Sequence, residues 1–500
     1  MSGGWRDPTG KRGRRLGAGS LAACACIGLG LLAAWLLLAD AAPRASTGAE
    51  GSAGTPRIEH LFVIVMENEN AAETFGEDPP APYLGTTLRQ KGAFIPNYFG
   101  VGHLSLDNYI AMVSGQPPNL QTQADCQVFT EMLPGTVQRD GVALGQGCVY
   151  PRSVRTIANQ LESSGRTWRG YMQDMASSTA AGEAASCRHP AIGSSDPTQQ
   201  ARAGDQYAAR HNPFVYFHSI IDYPSCGQND VDLSRLPSDL ASEATTPAYS
   251  FITPDLCYDG HDATCADGVS PGGFAGIEAF LREWVPQIKA SPAYQDHGAI
   301  LITFDESESG AESCCGERTS PNTSNYGGAT PGKGGGRIGA VLLSPCVEPG
   351  TVTAASYNHY SFLRWSEDNF GLPHLAEAGV EGLQPFDSDV FTRPGCAAGK
   401  GGGSSGEGGA GAVLRLMVKP RRVRAGTRHV FRFRLLGDPT CARGGRIRFA
   451  GHVTRTNARG RGRLKLRIQR LGKHVARVLP KSACPKPRAV VRVFEPYDTL

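Results

Sequence analysis

The chain has 500 residues, 40% of them hydrophobic, and a formal net charge of +4. Its length exceeds one ordinary domain, and its composition excludes a disordered, collagen-like or low-complexity protein. The modest net charge conceals a split: residues 58–412 carry 19 Lys+Arg against 40 Asp+Glu, whereas residues 413–500 carry 24 against 3.

In chain order, Lys11, Arg12, Arg14 and Arg15 precede an apolar stretch from Leu16 to about Leu38, and Ala39-Asp40-Ala41 offers a small-x-small cleavage pattern. Residues 1–41 read as a secretory signal, with an uncleaved anchor as the alternative. Residues 42–57 form a linker rich in Ala, Ser and Gly. Fourteen cysteines include Cys24 and Cys26 in the apolar stretch, leaving twelve for disulfides in an exported chain. Cys441 and Cys484, the two cysteines of the tail, are expected to pair.

From residue 58 to 395, apolar runs without alternation predict strands buried on both faces: 60–66, 214–220, 249–254, 299–304 and 338–344. Helical patterns at 155–165, 276–291 and 361–371 lie among them. This alternation predicts an α/β/α sandwich with a mostly parallel sheet, whose ligands sit at the carboxyl ends of strands. Residues 396–412 form a Gly/Ser tether. Residues 413–500 alternate apolar and basic residues at period two, which predicts a small Ig-like antiparallel sandwich.

The chemistry concentrates at two strand ends. The 60–66 run ends in Glu67-Asn68-Glu69-Asn70, and the 299–304 run ends in Asp305-Glu306. Carboxylates with an amide carbonyl make an all-oxygen set suited to a hard or borderline divalent ion. Ser105, in "VGHLSLDNYIAMVSG", stands before a helical run. It reads as a helix N-cap or as a nucleophile activated by a divalent ion, and the two are compatible. Asn108, one turn on, suits donation to a phosphoryl oxygen.

"HLFVIVMENEN", "GHLSLDNYIAMVSG", "TPDLCYDGHD", "LITFDE" and "YNHYSFLRWSEDNFGL" together resemble the successive motifs of the bacterial phosphoesterase family, which belongs to the alkaline phosphatase-like superfamily. The resemblance covers roughly residues 58–392. It implies one divalent metal ion held by Glu67, Asn68, Ser105, Asp305 and Glu306. It further implies that Ser105 is the nucleophile of a phosphoserine mechanism and that Asn108 contacts phosphate. His359 and, ranked after it, His261 would line the pocket, one of them protonating the leaving alcohol; His103 is a further pocket residue. Asp296-His297-Gly298 resembles a second-metal motif of the superfamily, but it precedes a strand instead of following one and reads as a turn.

The expected activity is that of an exported, acid phosphatase-type phosphomonoesterase acting on a phosphorylated small molecule. A phospholipase C-type diesterase acting on a phospholipid headgroup is the alternative enzyme. The basic tail suggests an anionic cell-envelope partner or docking on the acidic domain. In its extreme form this makes the chain an envelope-binding protein with a degenerate enzyme domain. Sparse aromatic residues among the basic strands argue against nucleic acid.

Overall fold

The computed structural model describes residues 55–393 and 414–494, apart from 178–184, 263, 296, 324–333, 421, 438–443, 458, 460 and 480–487. The apolar N-terminal segment, the Gly/Ser tether, Asp296, Cys441 and Cys484 lie outside the described residues. The chain divides into two compact units, residues 1–400 and 401–500.

The first unit is built on an eight-stranded sheet ordered 351–352, 93–95, 340–343, 298–304, 60–66, 249–253, 168–172, 230–232. His60–Met66 lies at its centre, parallel to both Tyr249–Thr253 and Gly298–Phe304. All seven of its residues are buried, as are all seven of Gly298–Phe304. Solid apolar runs therefore become strands covered on both faces. Ala340–Leu343 is buried too but runs antiparallel to Gly298–Phe304. No helix occurs among the described residues between these two strands.

Helices Ser105–Ser114, Ile157–Ser164 and His359–Phe370 pack on one another. The longer Gly273–Ala290 packs elsewhere, against the turn Tyr83–Leu88 and the short helix Pro292–Gln295. Local chemistry sets their ends. Thr156 and Asn159 form a reciprocal capping box, and Asn358 accepts from the Ser361 N–H at 2.9 Å. The result is an α/β/α arrangement around a mostly parallel sheet.

One expected strand is absent. Residues 214–220 are almost wholly buried, yet they form the helical turns Pro213–Tyr216 and His218–Ile221. Pro213 presets a helical φ, and the Asn212 side chain accepts from the Phe214 N–H. An apolar run reports burial and not conformation, and here the flanking Asn-Pro decides the conformation.

The second unit is all β. Leu414–Lys419, Arg428–Gly437 and Arg461–Arg467 form an antiparallel three-stranded sheet. A five-stranded sheet is ordered 422–424, 488–494, 472–478, 446–449, 452–455. Phe431, Phe433 and Leu435 of the first sheet share a buried cluster with Ile447, Phe449 and Val491 of the second. Each sheet thus turns its apolar side inward, as period-two alternation requires.

Candidate active site

Three neighbouring parallel strands end on the same side of the sheet, and each leads into acids: Glu67 after 60–66, Asp305-Glu306 after 298–304, and Asp255 and Asp259 after 249–253. The segments are tied together by backbone bonds. The Glu67 N–H donates to the Asp259 carbonyl at 2.9 Å. The N–H groups of Asn68 and Glu306 both donate to Asp305 Oδ1, at 3.1 and 2.6 Å. Asn68 itself adopts φ 57°. This convergence needs glycine at two points. A Cβ on Gly100 would stand 2.8 Å from the Asp305 carbonyl oxygen, and Gly260, at φ 116°, leaves only 3.0 Å to that of Glu67.

The loop before Ser105 is stapled to these strand ends. Asn108 folds back, accepting from the N–H groups of Val101 and Gly102 at 2.8 and 3.1 Å. It donates to the Gly102 and Leu104 carbonyls at 3.0 and 3.2 Å. The Leu104 N–H reaches Glu306 Oε2 at 3.1 Å, and His103 Nδ1 pairs with the same oxygen. Leu104 sits at φ 67°, a strained conformation for a branched residue. Ser105 then opens the helix, and the Leu106 N–H donates to Asp125 Oδ1 at 2.9 Å. The Ser105 hydroxyl makes no capping bond. It donates to Glu67 Oε1, joining the helix entrance to the first strand end.

Expected residues thus separate into groups. Hydrogen bonds at the strand ends link Ser105 to Glu67, and Asn68 and Glu306 to Asp305. His103 and the fully buried Asn108 hold the loop, and all of Asn108's polar atoms are committed to backbone. His359 is buried behind Asp305, with Nε2 2.6 Å from its carbonyl oxygen and Nδ1 3.2 Å from Tyr98 Oη. Burial lowers its pKa to about 4, so the ring is neutral. His261 is at the rim, its side chain 42% exposed and its Nδ1 2.8 Å from Asp262 Oδ1. The bond to Asp262 raises its pKa to about 9 against the pull of burial. His297 lies at the opposite, amino end of the 298–304 strand, with φ 73° in a turn.

Sequence reasoning missed four residues. His211 Nε2 lies 2.8 Å from Glu67 Oε2, and its Nδ1 lies 3.4 Å from Asp259 Oδ2. Its ring stacks on Tyr109 of the Ser105 helix, with centroids 5.2 Å apart. Arg210, buried, has Nε 3.8 Å from Asp125 Oδ2. Asp259 stood inside a motif but carried no role, and a single histidine or arginine in a long loop has no spacing to betray it.

The site is strongly acidic. Burial, and then the charges of Glu67 and Glu306, raise the Asp305 pKa well above its ordinary value. Burial pushes Glu306 up to about 7, although His103 opposes the shift. Glu67 alone is lowered, because His211 and Arg210 together overcome its burial. Asp305 Oδ2 is buried without a hydrogen-bond partner, while Glu67 Oε2 and Asp259 Oδ2 share the His211 ring between them. Glu67, His211 and Asp259 offer ligand atoms within 4.8 Å of one another. Buried carboxylate oxygens left unpaired are costly. A donor set of this kind fits a divalent cation.

Cys314 and Cys315 are joined by a disulfide, and Cys315 packs against a small apolar cluster of Val101, Ala111, Tyr360 and Leu383. Cys126–Cys148, Cys187–Cys226 and Cys257–Cys265 are also bonded.

This geometry, acids at the strand ends facing a hydroxyl at a helix entrance, accompanies a clear relationship. The family model of the Phosphoesterase family matches residues 78–373, more than half of the chain, and the chain belongs to that family. It is similar to a protein named "Probable acid phosphatase" of Kluyveromyces lactis, with 25% identity over 321 residues, covering 64% of this chain and 59% of that one. An acid phosphatase of Aspergillus fumigatus is 22% identical over 321 residues, covering 64% and 56%. The chain therefore spans little more than half the length of these relatives. A protein in the alkaline phosphatase superfamily from Vibrio parahaemolyticus, of known structure, aligns over 83% of this chain and 85% of that one, with 10% identity and a TM-score of 0.37.

Proposed function

We propose that this chain is an exported, metal-dependent phosphomonoesterase of the acid phosphatase type, acting through a phosphoserine at Ser105. The observation that carries the reading is the Ser105 hydroxyl bonded to Glu67 where a helix entrance meets the strand-end acids. The acid phosphatase names of the relatives support the substrate class. The four disulfides between described cysteines suit an oxidising compartment.

Glu67, Asn68, Ser105, Asp305 and Glu306 would hold one divalent ion, with Asp259 and His211 beside them. Such an ion lowers the pKa of a serine hydroxyl and offsets charge gathering on a phosphoryl group. Ser105 attacks phosphorus, its hydroxyl aligned by Glu67. Asn108 acts by fixing the loop that carries Ser105. We assign the proton for the leaving alkoxide to His261 and not His359. The rim ring keeps Nε2 available while Asp262 occupies Nδ1, whereas both nitrogens of His359 are engaged inside. Water then attacks the phosphoserine and inorganic phosphate departs.

Two assays test this. Turnover of p-nitrophenyl phosphate with none of phosphatidylcholine is expected; turnover of the diester alone would transfer the reading to a phospholipase C. His261→Gln is expected to lower kcat about 100-fold for an alkyl phosphate. It should act far less on p-nitrophenyl phosphate, whose leaving group needs no proton. Equal losses on both substrates would remove His261 from the role of proton donor.

A further inference from the structure

The second unit arranges its charge in an unusual way. In the sheet formed by Leu414–Lys419, Arg428–Gly437 and Arg461–Arg467, the inward residues are apolar and the outward ones mostly cationic. Arg428 is directly opposite Arg467, Arg432 opposite Arg463, and Arg434 opposite Arg461. Lys419 extends the Arg432–Arg463 row onto the third strand. All seven are exposed. Like charges directly across a sheet destabilise it. The described residues of this unit contain no carboxylate side chain at all: its four acids, Glu407, Asp438, Glu495 and Asp498, lie outside them. The fold therefore holds a grid of cations, spaced about 5 Å between strands and about 7 Å along them, with no anion from its own described residues in place to neutralise it.

We propose that this face is a binding surface for an anionic lipid bilayer. Three features select that partner over other polyanions. The surface is a sheet face and not a groove, so it is complementary to a plane of phosphate groups instead of a single strand of them. Met417 and Val430 point out of the same face, each 36% exposed. Met417 is opposite Arg434, and Val430 lies two residues from Arg432. Apolar side chains set among cations enter the headgroup layer while the cations meet lipid phosphates. No aromatic side chain projects from this face, so a nucleic acid would find no stacking platform. The phosphate-recognising chemistry is ionic, and each cation near such a surface is worth about fivefold in affinity.

The test uses the full chain with vesicles of phosphatidylcholine containing 30% phosphatidylglycerol, and with pure phosphatidylcholine vesicles, in about 0.1 M salt. Co-sedimentation with the anionic vesicles only is expected. Arg432→Gln/Arg463→Gln should weaken that binding about 25-fold. The same change should leave turnover of a soluble phosphomonoester intact, and should not lower the melting temperature, because it removes a like-charge pair. If this variant unfolds, Arg434→Gln/Arg461→Gln provides the same test one row away. Met417→Ser/Val430→Ser should weaken vesicle binding while leaving retention on inorganic polyphosphate unchanged. Equal binding to both vesicle types would overturn the proposal, as would undiminished binding by the neutralised variants. Tight retention on polyphosphate with no vesicle binding would assign the face to a soluble polyanion and overturn it as well.

Discussion

The two units concentrate charge of opposite sign in opposite settings. In the first, Glu67, Asp259, Asp305 and Glu306 are all buried at neighbouring strand ends, and Glu67 and Asp259 share His211. In the second, arginines face one another across exposed strands. Water screens the exposed set, so each of its charges costs little. It screens the buried set poorly, so those carboxylates persist only if something in the working state compensates them. Like charge in a buried cluster is therefore the stronger indicator of function, and perturbing it should produce the larger effects.

The largest expected effect is at Ser105. Ser105→Ala should lower kcat on p-nitrophenyl phosphate by at least about a thousandfold, with the melting temperature falling by only a few degrees, because the hydroxyl caps nothing and gives up the bond to Glu67. Comparable loss of fold and activity would make Ser105 structural.

Buried charge away from the site offers a second comparison. Asp230 is fully buried, accepts from Asn212 Nδ2 at 2.8 Å through Oδ2, and leaves Oδ1 unpaired. Burial raises its pKa from 3.8 to about 7. The folded chain therefore holds this proton where the unfolded chain has released it, and stability falls as pH rises from about 4 to about 7. Asp230→Asn should remove that slope. Its melting temperature relative to the parent should climb between pH 5 and pH 8, by an amount equivalent to a few kcal/mol, on the order of 1.4 kcal/mol per pK unit. A pH-independent difference would contradict the assignment.

The smallest effect belongs to the exposed rows. Arg434→Gln should change stability by under about 1 kcal/mol, in the stabilising direction, and the gain should shrink in high salt. Thermal melts at two ionic strengths check it. A large loss would mean that this face is not the solvent-exposed ladder its register implies.

How much of this was legible in the sequence follows the same division. Solid apolar runs ending in acids located the 60–66 and 298–304 strands and the acids they carry, because both signals are local. Period-two alternation located the basic sandwich for the same reason. Direction and handover were not local. Nothing in the run at 338–344 encodes that it returns antiparallel, and the equally apolar run at 214–220 became helical turns under Asn212-Pro213. His211, Arg210, Asp125 and Asp259 meet at the site only because loops from separate parts of the sheet close over it. Each is unremarkable in its own stretch. His359 illustrates the converse: a well-matched motif identified the residue, but only coordinates reveal that its ring faces inward, toward the Asp305 carbonyl and Tyr98.

The most direct measurement is calorimetric titration of chelator-stripped protein with a divalent ion, Mn2+ or Zn2+, alongside the Asp305→Asn and Glu67→Gln variants. Binding of one ion to the parent chain, weakened at least about 100-fold in both variants, together with a higher melting temperature for stripped Asp305→Asn than for the stripped parent, is the predicted result. No ion uptake by the parent, or unchanged uptake by the variants, would mean that the carboxylates at the two strand ends do not form one cation-holding centre with Ser105.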